Sequence, residues 1–346
     1  MIYFNNDYAE GCHEKVLEAL TRTNLEQTPG YGEDDYCAEA ARKIRAVCGS
    51  ENLAVHFLVG GTQTNMTVID AALRPHQAAL CAVSGHINCH ETGAVEATGH
   101  KVLTLPSEDG KITAKQVADM VDAHRADGSY EHMAQPKLVY ISNPTELGTL
   151  YTRSELEALS EVCRSRGLYL FLDGARLGYG LAARGNDVTL SDIARLCDVF
   201  YIGGTKVGAL FGEAVVFSNL PMAEDFRYLI KQHGGMLAKG RLLGVQFDAL
   251  MTDGLYQKIA GRAVELADQI RNTLDALGVP YLVPGATNQI FPILPDNILD
   301  ELGKQFVFCE QQRMDEHHRA IRFCTSWATT QENVDRLCSA LKKLCV

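Results

Sequence analysis

Two short apolar runs in this chain each end in residues able to do chemistry. Leu168 to Leu172 leads into Asp173-Gly-Ala-Arg176, and Val199 to Ile202 leads into Gly203-Gly204-Thr205-Lys206. Apolar runs of this length bounded by glycine read as buried strands, so the sequence predicts a carboxylate and an amine at the carboxyl ends of neighbouring strands. That pair suits pyridoxal phosphate. The cofactor needs a lysine to bind its aldehyde, and an acid to keep its pyridine nitrogen protonated so that the ring can draw in electrons. The amine must be uncharged to react, and burial beside a cation such as Arg176 favours the uncharged form. The plainer alternatives are a helix-capping Asp173 and a solvated loop lysine.

Other residues join this pair by type and position. Gly60-Gly61-Thr62 sits at a strand-to-helix junction, where free backbone N–H groups and the helix terminus favour a phosphate. A tight turn would use the same residues. His86 and His90 lie in GHINCHE with Cys89 and Glu91 nearby, but the HExxH spacing fails. The sequence therefore predicts no metal, and a single His86 ring stacked on an aromatic cofactor instead. Arg322 is a charge inside an otherwise apolar strand, AIRFCTSW. It pairs with a structural acid or receives a substrate carboxylate. His317 and His318 lie among charged residues and read as surface.

The bulk properties set bounds. The chain has 346 residues, 46% hydrophobic and 22% charged, long enough to divide into two domains. A net charge of -11 argues against nucleic acid as a partner. No apolar run approaches the roughly 20 residues of a membrane span, so no membrane partner is expected. MIYFNNDYAEG carries neither a basic leader nor an apolar core, so no signal peptide is predicted. The eleven cysteines are scattered without a CxxC pair, which reads as reduced, mostly buried thiols in a cytoplasmic protein.

Strands and helices must hold these residues in place. Helices are expected over residues 11–22 and 38–47, a buried strand over 53–59, and a helix from Thr64. Strand CAVS (81–84), a helix over 91–97, strand KVLTLP, a helix around 117–124 and strand KLVYIS follow. A helix over 155–164 precedes the two strands already described. EAVVF (213–217) should be antiparallel, because only a short turn precedes it. Strands alternating with helices imply an α/β domain with a mostly parallel sheet, whose ligands sit beyond the carboxyl ends of the strands. That rule gathers Gly61, Thr62, His86, Asn143, Asp173 and Lys206. After about residue 240 the rhythm changes to a long helix (255–277), short strands and a final helix from about 332, as in a smaller α+β domain. The expected division is 1–242, with an N-terminal arm, and 243–346.

Taken in order, FNND, GYGED, GGTQTN, GHINCHETGA, SNPTELGTLY, LDGARLGYG, GGTKVGAL, HGGM and the Arg322 strand resemble the threonine aldolases. These belong to the aspartate-aminotransferase-like, fold type I, pyridoxal-phosphate enzymes. The resemblance spans nearly the whole chain. It implies that Lys206 binds the cofactor with Thr205 beside it, Asp173 meets the pyridine nitrogen, His86 stacks on the ring, and Gly61 and Thr62 hold the phosphate. It gives the substrate carboxylate to Arg176 and Arg322, and places Asn6 where the family usually has a serine for the same task. Tyr31 would reach a neighbouring subunit's site, implying a homo-oligomer, dimer or tetramer, with shared active sites. Two departures stand out. Thr145 holds the place of a second active-site histidine, and HGGMLA replaces GGGMRQ, so that Leu237 stands for an arginine.

The implied reaction is cleavage of a β-hydroxy-α-amino acid, threonine or allo-threonine, to glycine and an aldehyde, with His86 as the expected base for the hydroxyl proton. The alternatives on the same scaffold are β-elimination and transamination, since orientation alone decides which bond is lost. A non-catalytic binding protein would keep the fold without the chemistry.

Overall fold

The computed structural model describes residues 1–345. A two-residue strand, β1 (Ile2–Tyr3), opens the chain. The central sheet is built from β2 (Ala54–Leu58), β3 (Gln77–Ala82), β4 (Lys101–Leu105), β5 (Gln135–Ser142), β6 (Tyr169–Asp173), β7 (Val199–Gly203) and β8 (Glu213–Phe217). Its order is β2-β8-β7-β6-β5-β3-β4. All strands run parallel except β8, which is antiparallel to both β2 and β7, as the short turn before EAVVF predicts. The inner strands are apolar because both faces are covered. Leu170, Leu172, Phe200 and Ile202 pack on one side with Leu156, Ile193 and Phe247. Phe171, Tyr140, Tyr201 and Val215 pack on the other with Val68, Ile69 and Phe226.

Local sequence starts and stops the crossover helices where the sheet needs them. Capping boxes pair Thr113 with Gln116, Thr152 with Glu155 and Thr189 with Asp192, each satisfying orphan N–H groups. Gly167 ends the helix Arg153–Arg166 in the left-handed conformation at φ 67°, a cap that glycine adopts at no steric cost.

Two elements depart from expectation. The strand expected at 81–84 lies earlier, at Gln77–Ala82, because Gly85 N–H closes a turn on the Ala82 carbonyl at 2.8 Å. The helix expected over 91–97 shrinks to the single turn Ala94–Ala97, with a separate turn, His86–Cys89, ahead of it. Positive φ at Thr92 and Gly93 breaks the helical path between them.

The long helix Leu255–Ala276 leads to β9 (Gln289–Ile290), β10 (Ile293–Pro295), β11 (Phe306–Val307), β12 (Cys309–Arg313) and β13 (His318–Cys324). β13 pairs antiparallel with β9, β10 and β12. The amino terminus joins this region. β1 pairs in parallel with β11, and Ile2 and Phe4 pack with Leu266, Ile270, Phe306 and Phe323. This carries residues 5–7 toward the strand tips of the central sheet. The eleven cysteines are free, six of them buried. No helix of the described residues is long and apolar enough to cross a membrane.

Candidate active site

The carboxyl ends of β6 and β7 meet closely because glycine occupies the crossing. A Cβ on Gly174 would lie 1.8 Å from the Tyr201 carbonyl oxygen, and one on Gly203 2.4 Å from that of Ala175. Both are impossible contacts. The Gly203 N–H instead donates to the Gly174 carbonyl at 3.0 Å. Tyr256, reaching in from the long helix, accepts from the Gly178 N–H at 3.1 Å and donates to the Gly203 carbonyl at 2.9 Å. This crossing fixes Asp173 and Lys206 on one cavity. Gly61, His86, Ser142, Thr145, Glu146 and Arg176 line it as well.

Asp173 is buried and fully partnered. Its Oδ1 accepts from the Ala175 N–H at 2.9 Å, and its Oδ2 accepts from Tyr140 OH at 2.5 Å and Asn65 Nδ2 at 3.0 Å. Burial pushes its carboxyl up, but the charge of His86 and hydrogen bonds from Tyr140, Tyr201 and Ala175 outweigh it and hold the group below its ordinary value. The site therefore keeps an anion where a protonated ring nitrogen would be met.

Lys206 has the opposite setting. Burial lowers its proton affinity, and the Arg176 guanidinium lowers it further, against the pull of Asp7 and Asp173. These are the two causes the sequence predicts. No side-chain hydrogen bond or ion pair from Lys206 is formed among the described residues. Glu213, at the start of β8, accepts from the Gly204 N–H at 3.1 Å, and burial pushes it up to about 8.

His86 presents its ring to the cavity, with Nδ1 2.6 Å from Glu91 Oε1. Asn65 Nδ2 also donates to that oxygen, at 2.7 Å. Burial disfavours the charged ring, yet the bond to Glu91 and the charge of Asp173 raise its proton affinity overall. The sequence marks Glu91 only as a neighbour of the histidines and gives no signal for Asn65, three residues past Thr62.

The arginines are housed differently. Arg176 closes a two-pronged ion pair with buried Asp7, Nε to Oδ2 at 2.7 Å and Nη2 to Oδ1 at 3.0 Å. That fork is therefore used within the chain, which leaves Nη1. Asp7 also accepts from Asn288 at 2.9 Å. Asn6, the residue expected at the substrate carboxylate, instead accepts at Oδ1 from the Tyr8 N–H at 3.0 Å, and it is its neighbour Asp7 that meets Arg176. Arg322 donates from Nη2 to the Asn5 carbonyl at 2.8 Å and from Nη1 to Gln289 Oε1 at 3.2 Å. Its Nε is buried without a partner, as are Asn5 Oδ1 and Gln289 Nε2.

The helix Gly61–Ala72 starts without a side-chain cap, so its first N–H groups are open, and Thr62 on its first turn is exposed. Thr205 Oγ1 accepts from the Gly212 N–H at 3.0 Å, and Asn143 Oδ1 accepts from the Tyr151 N–H at 3.1 Å. Both hydrogen bonds brace loops. Tyr31 lies apart from this cavity, in a cleft with Arg227, Met236 and Leu237. There its ring faces Lys231 at 4.9 Å.

The residues fit pyridoxal phosphate. An ionised Asp173, an unpartnered Lys206 of lowered proton affinity, an uncapped helix terminus and an arginine with an orphaned buried nitrogen are the donor set that this cofactor and an amino acid require.

Known proteins agree. Residues 7–296 match the family described as beta-eliminating lyase. The low specificity L-threonine aldolase of Pseudomonas sp. is 30% identical, over 98% of this chain and 96% of its own. A solved threonine aldolase structure from Leishmania major superposes with a TM-score of 0.97 at 45% identity, covering 100% of both chains. The aspartate aminotransferase of Thermus thermophilus, at 16% identity and TM-score 0.71 over 99% of this chain and 91% of its own, shares the fold. With pyridoxal phosphate as the cofactor of that fold family, the chain belongs to the threonine aldolases, within the beta-eliminating lyases.

Proposed function

We propose that the protein is an aldolase cleaving threonine or allo-threonine to glycine and an aldehyde. The observation that supports it best is the pairing of an Asp173 held below the ordinary carboxylate range with an unpartnered Lys206 across one cavity. The cofactor, when bound, supplies an electron sink for the pair left on Cα as the Cα–Cβ bond breaks. Lys206 holds a more reactive amine because burial and Arg176 lower its proton affinity. Asp173 keeps a proton on the ring nitrogen, and His86 covers the ring face. The backbone N–H groups at Gly61 and Thr62, with Thr205 close by, receive the phosphate.

Arg322 fixes the substrate carboxylate through its free Nε, joined by Nη1 of Arg176, with Asn6 at the same edge. That grip decides which Cα bond stands perpendicular to the ring, and so favours cleavage over elimination or transamination. In this reading residues 1–242 carry the cofactor and 243–346 bring Arg322 to it. The chain works as a homo-oligomer, a dimer or tetramer. Tyr31, 47% exposed and held at φ 62° away from its own cavity, reaches into a partner's site. Eleven free thiols suit a cytoplasmic location.

Aldehyde release from the four threonine stereoisomers tests the reaction. Acetaldehyde and glycine are expected, whereas pyruvate or ammonia without aldehyde would establish elimination or transamination instead. Borohydride reduction of the loaded protein should leave the cofactor on the tryptic peptide containing Lys206, and a label elsewhere would refute the site.

A further inference from the structure

The cavity holds one more carboxyl group, that of Glu146. Glu146 lies in the loop after β5, and its Oε1 accepts from Ser142 Oγ at 2.7 Å and from the His86 N–H at 2.9 Å. Two donors from separate elements thus fix one oxygen and with it the plane of the carboxyl. Oε2 receives no bond from any described residue, and the side chain lines the same cavity as Lys206 and Asp173. The hydroxyl of Thr145, beside it on the cavity wall, is engaged with Thr149 Oγ1 at 2.6 Å and the Asp109 carbonyl at 3.4 Å.

The other groups that could take a proton here are already engaged. Asp173 is held ionised by three donors, which makes it a weak base. His86 commits Nδ1 to Glu91 at 2.6 Å, and Glu91 and Asp173 raise its proton affinity. Lys206 must serve the cofactor. Glu146 alone combines a fixed orientation with an open oxygen.

We propose, resting on the aldolase reading, that Glu146 is the base that takes the substrate's β-hydroxyl proton. In that step the O–H bond breaks and the proton moves to Oε2. The pair it leaves forms the carbonyl π bond of the aldehyde, and the Cα–Cβ pair stays on Cα. In the synthetic direction the protonated Glu146 returns that proton to the aldehyde oxygen. Burial raises the proton affinity of Glu146, joined by the charge of Asp173 and opposed by the Ser142 hydrogen bond and by His86. A carboxyl lifted toward the working pH is a better base than an ordinary one. The other groups facing it are Cys81 on β3, Tyr140 on β5, Tyr151 beyond the loop, and Arg176 and Lys206 across the cavity.

Glu146→Gln keeps an acceptor for Ser142 and His86 but cannot take a proton. The test compares two reactions of the loaded enzyme. One is aldehyde release from threonine. The other is exchange of the glycine α-proton in D₂O followed by NMR, which needs the cofactor, Lys206, Asp173 and Arg322 but no hydroxyl. Glu146→Gln should exchange glycine within about 3-fold of wild type while aldehyde release falls about 10²- to 10⁴-fold, the range for a lost general base. The rising acid limb of the wild-type pH profile should vanish with it, and Glu146→Asp should recover part of the rate. Unchanged aldehyde release overturns the proposal. So does an equal fall of cleavage and exchange in both variants, which would make Glu146 a brace for the His86 turn. Wild-type protein that exchanges glycine yet releases no aldehyde from any isomer refutes the aldolase reading itself.

Discussion

Asp173 and Arg322 are both charges held among buried groups, yet they are housed in opposite ways. Every lone-pair direction that matters on Asp173 is filled by the chain itself, from Tyr140, Asn65 and the Ala175 N–H. Around Arg322 the chain leaves Nε, Asn5 Oδ1 and Gln289 Nε2 unpaired, at about 1–3 kcal/mol for each such group. The first arrangement satisfies the charge within the chain, and the second leaves polar groups that a ligand could complete. Lys206 also lacks a partner within the chain, whereas Glu213 accepts from the Gly204 N–H and burial favours retention of its proton. On the proposed function, the contrast would separate groups that set the electrostatics of the site from groups that take up the substrate carboxylate and the cofactor.

Four variants would break or sharpen this contrast. Asp173→Asn keeps the shape and removes the fixed charge, and should lower kcat for aldehyde release about 10²- to 10³-fold, as loss of one preorganised electrostatic group does. Arg322→Gln should act on binding, raising KM and the apparent glycine Kd about 10- to 100-fold, since a hydrogen bond to a charged group contributes about 1.5–3 kcal/mol. If Arg322→Gln lowered kcat and left KM alone, the receptive corner would be misassigned.

Glu213→Gln tests retention of a proton. The folded protein keeps the Glu213 proton up to about 8, whereas the unfolded chain releases it near 4.5. Native stability from this group is therefore lost as pH rises through that interval. The variant should gain on wild type steadily across it, read as denaturant midpoints at several pH values. The smallest effect is expected for Glu91→Gln. His86 has its proton affinity raised in the folded state, so its contribution is full below its ordinary value and fades as pH rises through the folded one. The variant should move the His86 NMR titration downward and remove about 1 kcal/mol of stability at acid pH.

Much of the fold is legible in the chain because its signals are local. Apolar runs at 137–142, 168–172 and 199–202 become the inner strands β5, β6 and β7, and Thr-led capping boxes open the helices between them. The miss at 91–97 has a local cause as well, two consecutive positive-φ residues at Thr92 and Gly93 that periodicity does not register. Asp173, Lys206, His86 and Arg322 could be picked out because each is a polar residue where an apolar strand or a glycine turn makes it conspicuous. Asp7 and Glu146 could not. Each sits in an ordinary polar stretch and acquires meaning only from Arg176, 169 residues away, or from the His86 N–H, 60 residues away.

The chain by itself therefore determined which residues end the strands, and that an acid and an amine with glycine beside them follow two of those strands. Those facts follow from short-range sterics and burial, which act over a few residues. Only the tertiary structure decided which charges are satisfied and which are left open, that Arg176 spends its fork on Asp7, and that Glu146 turns a free oxygen to the cavity. Hydrogen bonding and proton affinity depend on what lies within a few ångströms, and folding chooses those neighbours from anywhere along the sequence.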